Sequence, residues 1–345
     1  MANFPPPWTL GQLASLLDAK LQGPADFVVD RPAAADEDDP RGIAFAESEK
    51  YLRTAEESHI GALLLPPSLD TTKPHLTVAH PRRAFGALLA WALKPLPLQP
   101  GIHPTAVVAD SAQIDASASI GPYAVVECGV VIGARCRVYA HAYIGEGCIL
   151  EEQCVIYPHA VLYRDVVLGA RTVIHAGAIL GSDGFGYFWD GKGQQKVPQT
   201  GRVMLGADCE IGSLTAIDRA TAGTTRVDDG VKIDNLVQIA HNVRIGEHTV
   251  IASLCGVSGS ARIGKRVTMA GKADLVDHVS ICDDVMLGGR TAVARDINVP
   301  GAYLGAPAMP ARDGLKALAL QSRIPDLFER MRALETRIKE LEAKD

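Results

Sequence analysis

Aromatic side chains are scarce in this chain: Phe, Tyr and Trp together make up 5% of its 345 residues. With 47% hydrophobic residues overall, its core must come mainly from Val, Ile and Ala. Excess positive charge is lacking as well. A formal net charge of −6 argues against a general nucleic-acid binder, which needs a basic face for phosphates. The seven cysteines form no CxxC pair, so neither a metal centre nor a redox framework is expected. The opening MANFPPPWTLGQL has no basic region and no apolar run of the signal-peptide kind, and no stretch reaches transmembrane length. A cytoplasmic location is the expectation.

A six-residue beat is what the chain does have. Fourteen hexads run from Ile102 to LGSDGF at Leu180, three from Leu205, and twelve from Val227 to VARDIN at Val293. Each opens on Val, Ile, Leu or Met, usually followed by a small or polar residue. Self-similarity at this period marks a β-helix of hexapeptides whose coils bury a shared core. Three hexads make a triangular coil of eighteen residues, and coils stack at the strand-pairing distance of about 4.8 Å. The fold expected is mainly β, with a parallel β-helix; the period itself displays no hand, and the left-handed winding expected is that of known hexapeptide repeats, contrary to the usual right-handed crossover. Five cysteines (136, 148, 154, 209 and 255) fall at the fifth hexad position, where Cys acts as a small buried hydrophobe.

Punctuation divides the rest. Residues 1–98 lack the beat and read as a small α/β domain. Thr9-Leu10-Gly11-Gln12 looks like a capping box, followed by Leu13, Leu16, Leu17 and Leu21 on one helical face. Strands are expected at Phe27–Val29, Gly42–Phe45, Ala62–Leu65 and Leu76–Ala79, and a second helix over about 82–93. The β-helix spans about 102–304, with a loop at 186–202 rich in Gly, Lys and aromatics; loops this long are usually functional or disordered. A helical tail occupies 313–345, with a break possible at Pro325. Its Leu327, Met331, Leu334, Ile338 and Leu341 make an a/d stripe that needs a partner. A homotrimer closed by a three-helix bundle is predicted.

Three stretches carry a specific resemblance: GSDGFGYFWDGKGQQKVPQTGRV (181–203), IDRATA (217–222) and KIDNLVQIAHNVRIGEHT (232–249). In these the chain resembles the UDP-3-O-acylglucosamine N-acyltransferase family of lipid A biosynthesis, over nearly its whole length. The resemblance implies a uridine-binding N-terminal domain, a left-handed β-helix and a C-terminal helix. It further implies transfer of a 3-hydroxyacyl chain from acyl carrier protein to the 2-amine of a UDP-sugar. No cofactor or metal is implied, since the donor arrives activated on phosphopantetheine.

Amide formation from a thioester needs a base for the amine proton and donors for the oxyanion, and imidazole titrates near working pH. His241 is third in its hexad, on the turn side of its strand. Eighteen residues on is Gly259, one coil above, and eighteen further is Asp277. The Gly259 N–H suits an oxyanion donor, typically worth about 3–4 kcal/mol of barrier. The resemblance assigns these same roles to His241 and Gly259, and makes His278 a second active-site histidine. Asp277 departs from the glycine the family often carries there, adding a carboxylate beside His278. Asp234, Asn235, Gln238 and Asn242 flank the base as candidate pocket residues, Asp234 being placed to orient the imidazole. His141, His159, His175 and His248 read as ordinary turn histidines, since His141 and His159 also lie eighteen apart without the motif.

FAESEKY (45–51) occupies the place of the family's uridine-contacting segment. There Phe45 and Tyr51 can flank the uracil, Lys50 can meet a phosphate, and Ser48 replaces a frequent Asn. The acidic carrier protein would dock on Arg290, Arg295, Arg312 and Lys316. Alternatives are the related O-acyltransferase, whose base motif commonly reads His-Asp, and an acetyl-CoA-dependent sugar acetyltransferase. A zinc carbonic anhydrase needs three converging histidines, and no such trio is evident. A non-catalytic scaffold does not account for IDNLVQIAHNV.

Overall fold

The computed structural model describes residues 5–94, 96–321 and 323–342, with side chains through residue 339. The chain divides into two compact units, Met1–Pro97 and Leu98–Asp345.

The first unit is a five-stranded sheet in the order Lys20–Gln22, His75–Thr77, Ala62–Leu65, Gly42–Phe45, Arg31–Pro32. All neighbours are parallel except the first pair. The alternation of a strand sorts its core: Ala62 and Leu64 join Trp8, Leu13 and Leu88 on one face, while Leu63 and Leu65 join Leu52 and Ile60 on the other. The helices Leu10–Leu17 and Pro81–Ala92 cover the first face, and Glu49–Glu57 covers the second. The capping box is present in both directions, Gln12 N–H to Thr9 Oγ1 at 3.2 Å and Thr9 N–H to Gln12 Oε1 at 2.8 Å. Glu49–Glu57 is an element the sequence did not announce. Its helical face holds only two buried residues, Leu52 and Ala55, too few to show a period.

The second unit is a left-handed β-helix of hexapeptide repeats. Short strands, mostly of two residues, stack into three sheets that are parallel but for one terminal pair, and within the unbroken runs partners lie eighteen residues apart: Val125 on Tyr143, Val131 on Ile149, Arg137 on Val155. The opening residue of each hexad from Ile120 onward points inward and is buried. Turns are made at the fourth position, where Tyr123, His141, Asn242 and His278 among others hold φ near +60°.

The fifth-position cysteines are more than small hydrophobes. Each thiol donates to a corner carbonyl: Cys136 to Glu151 at 2.9 Å, Cys148 to Tyr163 at 3.0 Å, Cys255 to Ala270 at 3.3 Å. Thr172, Thr215 and Thr249 do the same with their hydroxyls. Thr291 occupies the equivalent place on the last coil, where the repeat has ended. Its hydroxyl is buried with no hydrogen-bond partner among the described residues.

Two insertions interrupt the coil arithmetic. Across the first, pairing steps from Val167 to Met204, and across the second from Arg202 to Thr224. The first is larger than the expected loop and includes an antiparallel hairpin, Tyr187–Trp189 against Gln194–Lys196. The tail is two helices, Ala311–Gln321 and Ile324–Glu342, so the break expected at Pro325 falls just before it and Pro325 lies in the first turn of the second helix. Leu327, Met331, Leu334 and Ile338 are all exposed on it, and the Leu341 side chain lies outside the described residues. No described helix is long and apolar enough to cross a membrane.

Candidate active site

His241 follows the strand Gln238–Ile239, at the corner where both insertions leave the β-helix. The eighteen-residue arithmetic holds here. Ser260 N–H donates to His241 O at 2.9 Å, and His278 N–H to Gly259 O at 3.0 Å, so the three residues climb one corner. The imidazole packs closely against Gly259: a Cβ there would meet Cε1 at 2.7 Å and Nε2 at 2.8 Å. Gly184, from the hairpin insertion, closes the opposite side; a Cβ on it would stand 2.6 Å from His241 Cβ and 2.9 Å from Cδ2. Two glycines therefore hold the ring between them.

Asn242, not Asp234, orients the imidazole. Its Oδ1 lies 3.1 Å from His241 Nδ1 and also accepts from Thr221 N–H at 3.0 Å, while its Nδ2 donates to Ala222 O at 2.9 Å. With Oδ1 accepting, the imidazole proton sits on Nδ1, and Nε2 presents its lone pair. Asp234 is one corner away, because seven residues carry the chain along a full side of the triangle. Its carboxylate takes the N–H groups of Asn235 and Ser253 at 2.8 and 3.1 Å, and Asn235 Oδ1 accepts from Ser213 N–H at 2.7 Å. Asp234 and Asn235 line a separate cavity of about 580 Å³ with His175, Glu210 and Lys232. His175 Nε2 is 2.8 Å from Glu210 Oε1 there.

Gln238 stays with the base. Its Nε2 donates at 2.9 Å to Asp218, a residue the sequence did not single out within IDRATA. Asp218 also accepts from Ser182 Oγ at 2.8 Å. Burial raises its pKa above the ordinary aspartate value, opposed by those two hydrogen bonds and by the nearby His241. A cavity of about 400 Å³ opens here, lined by Gly184, Tyr187, Lys196, Asp218, Gln238 and Ala240 among others. Lys196 pairs with Asp183 at its rim, which raises the lysine's pKa. Both insertions were visible as breaks in the beat; that they fold onto one corner was not.

His278 and Asp277 are exposed, with no ion pair between them among the described residues. Arg290, Arg295, Arg312 and Lys316 are also exposed; Lys316 Nζ is 4.0 Å from Asp313. In the first unit, Phe45 and Tyr51 line a cavity of about 680 Å³, joined by Phe85, Arg82, Thr54 and Leu89. Phe45 and Phe85 meet with ring centroids 5.0 Å apart and their planes tilted by 38°. Ser48 precedes the helix without capping it, and Lys50 Nζ sits 5.9 Å over the Tyr51 ring; neither lines that cavity. Phe85 and Arg82 were missed because they belong to a different helix from FAESEKY.

The β-helix is built from repeats of the bacterial transferase hexapeptide kind. Their six-repeat pattern, the bacterial transferase hexapeptide family, matches residues 111–146, 123–157 and 224–259. An Arabidopsis UDP-N-acetylglucosamine acyltransferase of known structure is similar in fold, at 22% identity and a TM-score of 0.50 over 63% of this chain and 76% of its own. Closer relatives narrow the class. A UDP-3-O-acylglucosamine N-acyltransferase from Pseudomonas savastanoi pv. phaseolicola is 41% identical over 97% of both chains, and one from Coxiella burnetii is 39% identical over 96% of this chain and 98% of its own. The chain belongs to the UDP-3-O-acylglucosamine N-acyltransferase family, and it is an acyltransferase.

Proposed function

We propose that this enzyme transfers a 3-hydroxyacyl chain from acyl carrier protein to the 2-amine of UDP-3-O-(3-hydroxyacyl)glucosamine, a step of lipid A biosynthesis. The observation that carries this reading is the imidazole seated between Gly184 and Gly259 with Nδ1 held by Asn242. Nε2 takes a proton from the amine as nitrogen attacks the thioester carbonyl and the C–N bond forms. The Gly259 N–H stabilises the oxyanion of the tetrahedral intermediate. Collapse breaks the C–S bond, and the imidazolium returns its proton to the thiolate, so carrier protein leaves as the thiol. No cofactor or metal takes part.

The aromatic cavity of the first unit would take the uracil between Phe45, Tyr51 and Phe85. The exposed basic residues Arg290, Arg295, Arg312 and Lys316 would receive the acidic carrier protein. Three copies of the stripe Leu327, Met331, Leu334 and Ile338 would bury one another in a trimer, which would set the active site between neighbours. His241→Ala, assayed with acyl carrier protein thioester and the UDP-sugar, should lose about 10²–10⁴-fold in turnover while the trimer persists in sedimentation. Near-normal acylation by that variant would refute the mechanism.

A further inference from the structure

Asp218 is 8% exposed, yet its carboxylate opens onto the cavity beside the base. Its two hydrogen bonds come from neutral groups, the Ser182 hydroxyl and the Gln238 amide. Among the described residues no cation forms an ion pair with it. The charged neighbours are otherwise engaged. Lys196 is paired with Asp183. Arg219, itself 2% exposed, gives Nε to Gly181 O at 2.7 Å and Nη2 to Arg164 O at 3.1 Å, and stands 4.0 Å from Asp183. His241 holds its proton on the Asn242 side. A buried carboxylate without a counter-charge is destabilising unless something compensates it, and such groups gather where a ligand supplies the missing charge.

We propose that Asp218 receives the 2-ammonium of the acceptor sugar and so selects an amine over a hydroxyl at that carbon. This rests on the N-acyl transfer reading above. An aliphatic amine is largely ammonium at neutral pH, and it must lose one proton before it can attack and a second as it attacks. Asp218 accepts the first, its burial having raised its proton affinity, and releases it to water. His241 accepts the second, which departs on the thiol. The acid and the base thus handle separate protons. Gln238 and Ser182 fix the carboxylate, leaving its remaining lone pairs for the ligand.

Calorimetry on the full chain without acyl donor tests this, comparing UDP-3-O-acylglucosamine with the analogue carrying a hydroxyl at C2. The native enzyme should bind the amine about 10- to 100-fold more tightly, the range for hydrogen bonds to a charged group. Asp218→Asn should bind both alike, with affinity for the hydroxyl analogue unchanged. A second measurement needs no variant: the native preference should shrink as pH rises past about 8, where the ammonium deprotonates. Contacts common to the two ligands cancel in the ratio, and the Asp218→Asn arm separates Asp218 from the neighbouring charges of Asp183, Lys196 and Arg219. Equal binding of the two ligands by native enzyme, or discrimination that survives in Asp218→Asn, would overturn the assignment. The base reading fails separately, through near-normal turnover in His241→Ala, whereas the binding ratio is read on native enzyme and Asp218→Asn with no acyl donor present.

Discussion

Gly259→Ala is a perturbation whose size can be worked from the structure. The new methyl would stand 2.7 Å from Cε1 and 2.8 Å from Nε2 of His241, where ordinary contact begins at 3.4 Å. The ring must therefore retreat by roughly 0.6–0.7 Å. Gly184 backs its other edge, with the insertion pressed against Cβ and Cδ2, so retreat means rotation away from Asn242 and loss of the 3.1 Å contact that sets the tautomer. Displacements near 1 Å at a reacting group lower rates by about 10²-fold, or about 2.7 kcal/mol of barrier. The backbone should tolerate the change, because Gly259 does not hold the positive φ that penalises side chains. Single-turnover rates with acyl carrier protein thioester should fall about a hundredfold while the thermal midpoint stays near that of the native chain. A variant acylating at the native rate, with its imidazole undisplaced in a crystal structure, would refute the reasoning.

Other predictions follow from single groups. Thr291→Val should raise the thermal midpoint, since it replaces a buried unpartnered hydroxyl by a methyl of similar shape, a change worth about 1–3 kcal/mol; an unchanged or lower midpoint would mean the hydroxyl is satisfied. Burial raises the native pKa of Asp218, so the folded state binds the proton more tightly than the unfolded state. Its contribution to stability is therefore present at low pH and is lost as pH rises from about 4 through the native value. Denaturation of Asp218→Asn across this range should show a flatter profile, with its advantage over the native chain greatest near neutrality; parallel profiles would count against it. A thiol reagent should label Cys128 and Cys282 in the folded protein and the five buried cysteines only after unfolding, as burial pushes Cys148 up to about 12 and Cys209 to about 11. Rapid labelling of a buried position, read by peptide mass, would contradict the burial of these thiols in the β-helix core.

Much of this molecule is written in its period. An inward aliphatic residue every sixth place can bury itself only by closing a coil every eighteen, so the β-helix follows from local pattern alone. Within an unbroken run the same arithmetic stacks Gly259 on His241, because nothing lies between them but regular hexads. The capping box at Thr9 and the strands Gly42–Phe45 and Ala62–Leu65 were legible for similar reasons, each being a short-range signal.

Tertiary structure decided the rest wherever the period failed. The two insertions have no register to count along, and only folding brings Gly184 against the imidazole and Ser182 to Asp218. Asp234 and Asn242 look equivalent beside the base in a linear motif, yet a triangular coil turns a corner between them and leaves only Asn242 in reach. Phe45 meets Phe85, forty residues further along the chain, because a helix returns over its sheet. Periodicity reports which way a side chain faces; which neighbours it meets across an irregular segment depends on packing that no local pattern encodes.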